Sequence, residues 1–92
     1  MPDYTIQLWS PLPGARMPRV TFDADDEMRA AALALRHFKR LGHDLSAHDA
    51  NVDVETARGE KMTILVDTIF RWLKRPEAEA FVKAEGLESL TK

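Results

Sequence analysis

The stretch DADDEMRAAALALRHFKRLG, residues 23–42, decides how this chain folds. Its middle is rich in Ala and Leu, both strong helix formers. Asp23 stands where a side chain can cap the first turn, and Asp25, Asp26 and Glu27 follow where a helix dipole is positive. At about 100° per residue, Met28, Ala31, Ala34, Leu35, Phe38 and Leu41 share one arc. Arg29, Arg36, His37 and Arg40 share the opposite side, with Leu33 among them. Gly42 then follows the last periodic residue, as a left-handed residue closing a helix would. The reading is one helix with one apolar stripe, which needs a second layer to cover it.

That layer is legible on either side. Tyr4, Ile6 and Leu8 alternate with Thr5, Gln7 and Trp9, the period-two pattern of a half-buried strand. SPLPGARMP, residues 10–18, is a proline-rich loop, and Arg19 to Phe22 form a second strand that pairs with the first. Beyond the helix, Val52, Val54 and Thr56 alternate with Asp53 and Glu55. The turn ARGE, with Gly59, leads to Met62, Ile64 and Val66 alternating with Thr63 and Leu65. Asp67 is then expected to cap a helix with Ile69, Phe70, Trp72 and Leu73 on its apolar face. Pro76 opens a last helix to about residue 85, closed by Gly86, with Ala78, Phe81 and Val82 inward and Leu87 over the end. The expected fold is α+β: a two-layer sandwich of about four mainly antiparallel strands, in ββαββα order, with two to three helices on one face. Residues 1–92 are expected to form one domain. A monomer and a homodimer that buries the open sheet face both remain compatible with the pattern.

Composition narrows the function. With no cysteine there is no disulfide framework, no thiolate metal site and no cysteine nucleophile. MPDYTIQLW has no basic region leading into a long apolar run, and MTILVDTIF is broken by Asp67 and too short to span a bilayer. A cytoplasmic location and no membrane contact are therefore expected. The net charge of −2 lacks the basic excess of a general nucleic-acid binder.

All three histidines, His37, His43 and His48, lie within twelve residues, and two precede Asp. HDLSAHD lacks the helical spacing by which metal ligands converge, so loop histidines without a metal are expected. Ser10, Ser46 and Ser89 sit in no nucleophile elbow, and the four glycines are scattered rather than gathered into a phosphate loop. No catalytic residue and no cofactor are expected. A small metal-assisted hydrolase using the HD pairs is the third-ranked reading.

Two basic clusters, Arg36, Lys39, Arg40 and Arg71, Lys74, Arg75, end the first and second helices. Compensation of helix dipoles explains them, at about 0.3–1 kcal/mol each. If the clusters were adjacent they would grip phosphates, with Trp9 and Trp72 as stacking surfaces, and this nucleic-acid accessory role is the alternative reading. Asp49, Asp53 and Glu55, with Trp9, are the candidate partner-binding residues, forming an acidic strand edge suited to a basic partner. Pro11 and Pro13 are a weaker candidate, as a polyproline II segment. The leading expectation is a non-enzymatic protein-binding module, an adaptor or an inhibitor acting by contact with a larger partner. Its size class is shared with phage and mobile-element inhibitors such as anti-CRISPR proteins.

Overall fold

A computed structural model describes residues 2–10, 17–43, 45 and 50–90. Strands β1 (Asp3–Trp9) and β2 (Arg19–Asp23) precede helix α1 (Glu27–Arg40). Strands β3 (Asn51–Thr56) and β4 (Lys61–Leu65) precede α2 (Val66–Leu73), a 3₁₀ turn at Pro76–Ala78, α3 (Glu79–Glu85) and a second 3₁₀ turn at Glu88–Leu90. The expected α+β fold is the one observed. The four strands form one antiparallel sheet in the order β2-β1-β3-β4.

Alternation along the strands sorts the two faces. Tyr4, Ile6, Leu8, Val52 and Val54 are buried, and Val20, Phe22 and Ile64 are partly buried on the same side. Phe38 and Leu35 of α1 are fully buried, and α1 packs on β1, β2 and β3. β4 runs into α2 without a loop: the Val66 N–H donates to the Ala50 carbonyl at 3.1 Å, on the register of the β3–β4 ladder. Asp67 therefore lies in the first turn and is not the cap; Leu65 is, with no side-chain bond.

Two further expectations shift. Asp26, not Asp23, caps α1, its carboxylate accepting the Arg29 N–H at 2.8 Å. Asp23 instead ends β2 opposite Asp3. Either aspartate suits a cap chemically; the register with β1 decides between them by holding residues 19–23 extended. The second shift concerns the faces of α1. Leu33 is buried because the "polar" side of α1 is covered by the C-terminal elements, whereas Leu41, the residue that caps the end of α1, is 60% exposed. The Arg29 guanidinium lies 5.4 Å from the Trp72 ring centre and 5.6 Å from that of Phe81. Arginine stems can pack while the head group stacks on aromatic faces, so an arginine stripe need not face water. With Ala30, Ala31, Ala32 and Ala34 all buried, α1 is enclosed on two sides, and the small side chains allow both neighbours to approach.

α1 and α3 end at glycines. At Gly42, φ 90°, the Gly42 N–H donates to the Lys39 carbonyl at 3.0 Å and the His43 N–H to the Phe38 carbonyl at 3.0 Å. At Gly86, φ 66°, the Leu87 N–H donates to the Val82 carbonyl at 2.9 Å and drives Leu87 into the core. Among the described residues no helix is long and apolar enough to cross a membrane.

Two measurements check this packing. Phe38→Ala should destabilise the chain by about 3–5 kcal/mol in urea unfolding, the range for emptying a buried aromatic site. Leu41→Ala should stay within about 0.5 kcal/mol of wild type, as surface changes do. Tyr4 is the one tyrosine. Burial first, then the nearby Glu27 and Asp26 carboxylates, raise its phenol pKa above the ordinary value. Folding thus keeps a proton that the unfolded chain sheds above about pH 10, so stability should fall as pH rises through that range. Phenolate absorbance should appear at higher pH in the native chain than in urea; coincident titrations would contradict the packing of Tyr4.

Candidate functional site

Among the described residues no helix packs on the second face of the sheet. Register aligns its side chains in rows across the strands. One row reads Thr21, Thr5, Glu55, Lys61; the next reads Arg19, Gln7, Asp53, Thr63; the third holds Trp9, Asn51 and Leu65. Met17 joins the third row. The Leu8 N–H donates to the Pro18 carbonyl at 2.9 Å, which extends the β1–β2 register and sets Met17 opposite Trp9. Met17, Trp9 and Leu65 are 49%, 38% and 50% exposed, so one end of the face is a mainly apolar row, with Asn51 between Trp9 and Leu65. The middle is polar. Thr63 Oγ1 donates to Asp53 at 2.8 Å, and the hydroxyls of Thr5 and Thr21 lie 3.1 Å apart. Thr5, Gln7, Arg19, Asp53, Glu55 and Lys61 line a shallow depression there.

Three of the expected partner-binding residues, Trp9, Asp53 and Glu55, thus share this face, while Asp49 lies outside the described residues. Their setting differs from an acidic edge. β3 is an inner strand, flanked by β1 and β4, and Glu55 stands opposite Lys61. Local alternation could not show this, because the β1–β3 pairing joins residues far apart in sequence. Met17 was hidden within a proline-rich loop; its link to Trp9 becomes visible only through the register.

Trp72, within the second cluster, stacks on Arg29 at the start of α1, whereas the first cluster stands about two to three turns further along that helix. Two members of the first cluster are engaged. Arg36 bonds the Glu85 carbonyl and lies 3.8 Å from the Glu85 carboxylate, and Lys39 Nζ donates to the Ser89 carbonyl at 3.1 Å. These cations bind the exposed carbonyls at the ends of α3 and the final turn, which is dipole compensation between helices. Of the second cluster, Arg75 pairs with Glu77 at 3.3 Å, and Arg71 and Lys74 are exposed. Trp72 packs on Phe81, ring centres 5.9 Å apart, so it offers little stacking surface.

His37 stands edge-on to Phe22 and Phe38, centroids 6.0 Å apart in both cases, and His43 edge-on to Phe38 at 6.2 Å. Both imidazoles therefore pack against the core rim. Among the described residues no group of three or more His, Asp or Glu is arranged to hold a metal. Asp44, Ser46 and His48, and the Pro11–Pro13 segment, lie outside the described residues. Arg36→Ala with Lys39→Ala should speed amide exchange across residues 79–90, by the loss of about 0.5–1.5 kcal/mol per bond, and leave the sheet amides unchanged. Comparison with protein-family models, with curated proteins and with solved structures finds no match to this chain.

Proposed function

We propose that the chain is a non-enzymatic protein-binding module that docks a larger partner on the open face of its sheet. The observation that supports this is the row Met17, Trp9, Leu65: three of the five exposed large hydrophobic residues among those described fall in one line on the sheet face that the described residues leave bare. Tryptophan is enriched among residues that carry binding energy, and apolar anchors bordered by polar groups are the usual anatomy of an interface. Asp3, Asp23, Asp53 and Glu55 outnumber Arg19 and Lys61 on this face, so a partner with an apolar ridge and a basic border complements it. Rigid strands hold the row in place, which suits an adaptor or an inhibitor that acts by occlusion. The nucleic-acid reading loses ground because Arg36 and Lys39 are occupied by helix ends and Trp72 is stacked on Phe81 and Arg29.

Affinity capture from the native cell tests the proposal. Trp9→Ala should weaken the partner complex by at least about 30-fold, the scale of a hot-spot residue. Asp53→Lys with Glu55→Lys should remove it, while costing fold stability roughly 0.2–1 kcal/mol for each cross-strand pair lost, with Thr63 and with Lys61. Arg40→Glu, Arg71→Glu and Lys74→Glu should leave the complex intact. An oligonucleotide bound tighter than about 1 µM near physiological salt, and released by the three basic reversals, would replace this reading with nucleic-acid binding.

A further inference from the structure

The two edges of the sheet are not equivalent. β2 follows Pro18, carries Arg19 and Asp23 at its ends, and has its inward Val20 and Phe22 already half covered. Proline and charge are the usual guards of an edge strand. β4, KMTIL, has Lys61 alone as a guard, and Lys61 stands opposite Glu55 in its own sheet. Its inward Met62 is 44% exposed. Beside it runs an apolar groove, lined by Met28, Met62, Ile64 and Thr68, between β4 and the first turns of α1 and α2.

Hydrogen-bond phase shows what the β4 edge can accept. The Thr56 N–H donates to the Glu60 carbonyl at 2.8 Å and the Val66 N–H to the Ala50 carbonyl, so the even-numbered residues of β4 bond to β3. The N–H and C=O groups of Lys61, Thr63 and Leu65 therefore point away from the sheet. An antiparallel copy of the same strand satisfies all of them in one register, centred on Thr63, with Lys61 opposite Leu65 of the second copy. Met62 then lies beside Ile64 of the second copy, on the groove side, in the closer type of cross-strand pair. The axis is perpendicular to the sheet, so both helix layers fall on one side and the two α2 helices run antiparallel over the junction. Asp67, Thr68 and Arg71 lie on one exposed arc of α2, and Thr68 lines the groove. Antiparallel pairing brings the acidic start of one α2 toward the basic end, Arg71 and Lys74, of the other. The surface is self-complementary in charge as well as in hydrogen bonds.

We infer that a second copy of this chain pairs with β4 about Thr63, making a continuous eight-stranded sheet. The pairing also enlarges the open face. One sheet offers a flat footprint of about 400 Å², from four strands about 4.8 Å apart and roughly 20 Å long. A standard interface buries about 800 Å² per partner. Two faces side by side reach that scale, with an apolar row on each copy.

Sedimentation of the full chain from about 1 µM to about 1 mM, the weak end of specific affinity, tests the inference. Wild type should pass from monomer to dimer within that range. Thr63→Pro deletes an N–H that points away from β3, so the monomer keeps its ladder while self-association weakens by at least about 10-fold, one decade on the affinity scale. Met62→Lys, at a site open to water in the monomer, should do the same and decides the matter if the proline variant unfolds. Thr21→Pro on the β2 edge should leave the dimer unchanged. A wild type that stays monomeric at about 1 mM, or a dimer indifferent to both β4 changes, overturns the inference. Trp9→Ala should not alter self-association, and Met62→Lys, on the helix side of the sheet, leaves the side chains of each open face in place, so this pairing and the partner-binding reading fail separately.

Discussion

Enclosure of α1 between two layers is the constraint on which the other features depend. Its sheet-facing side is covered by β1, β2 and β3, and its second side by Trp72, Phe81 and the turns around Leu87. A helix buried on both sides must either be apolar all round or carry cations whose stems pack and whose heads find partners. This one does the second. Arg29 stacks on two aromatic rings, and Arg36 and Lys39 take the carbonyls that α3 and the last turn leave unsatisfied. All the helices are thereby committed to one side of the sheet. The other side is left with no element of the described chain to cover it.

That distribution separates residues that look alike in the sequence. Arg36 and Arg71 both sit in basic helix ends, yet Arg36 joins two helices and Arg71 faces solvent. Trp9 and Trp72 are both aromatic candidates for binding, yet Trp72 is stacked within the helix layer and Trp9 stands on the bare sheet. Apart from Leu41 at the end of α1, the exposed large apolar side chains of the described residues lie on the row through Trp9 and along the β4 edge, which is where the proposed contacts fall.

Local pattern carried much of the fold. Alternation along Tyr4–Leu8 and Val52–Val54 marked the inward residues, and Gly42 and Gly86 marked the helix ends. These features depend on neighbours a few residues apart, which is the range over which periodicity and φ preferences act. Parity also placed Trp9, Asp53 and Glu55 on outward positions. Strand order is not legible locally: nothing in residues 51–56 shows that β1 lies against β3 and makes it an inner strand. The second burial of α1 was hidden for a related reason: Arg29 and Arg36 look solvent-directed until Trp72, Phe81 and Glu85, some fifty residues later, fold over them. Met17 shows the same limit, since only the alignment of β2 with β1 brings it to Trp9.

The central claim is that the bare face of the sheet, not the helix layer, meets the partner. The lysines of the described chain divide between the two: Lys61 stands on the open face, and Lys39, Lys74 and Lys83 belong to the helix side. Amine-reactive cross-linking of the chain in its native cell, read by mass spectrometry, therefore reports which side is in contact. The account predicts links to the partner through Lys61, and protection of Lys61 from small acylating reagents in the complex. Links through Lys74 and Lys83 with Lys61 still freely modified would contradict it.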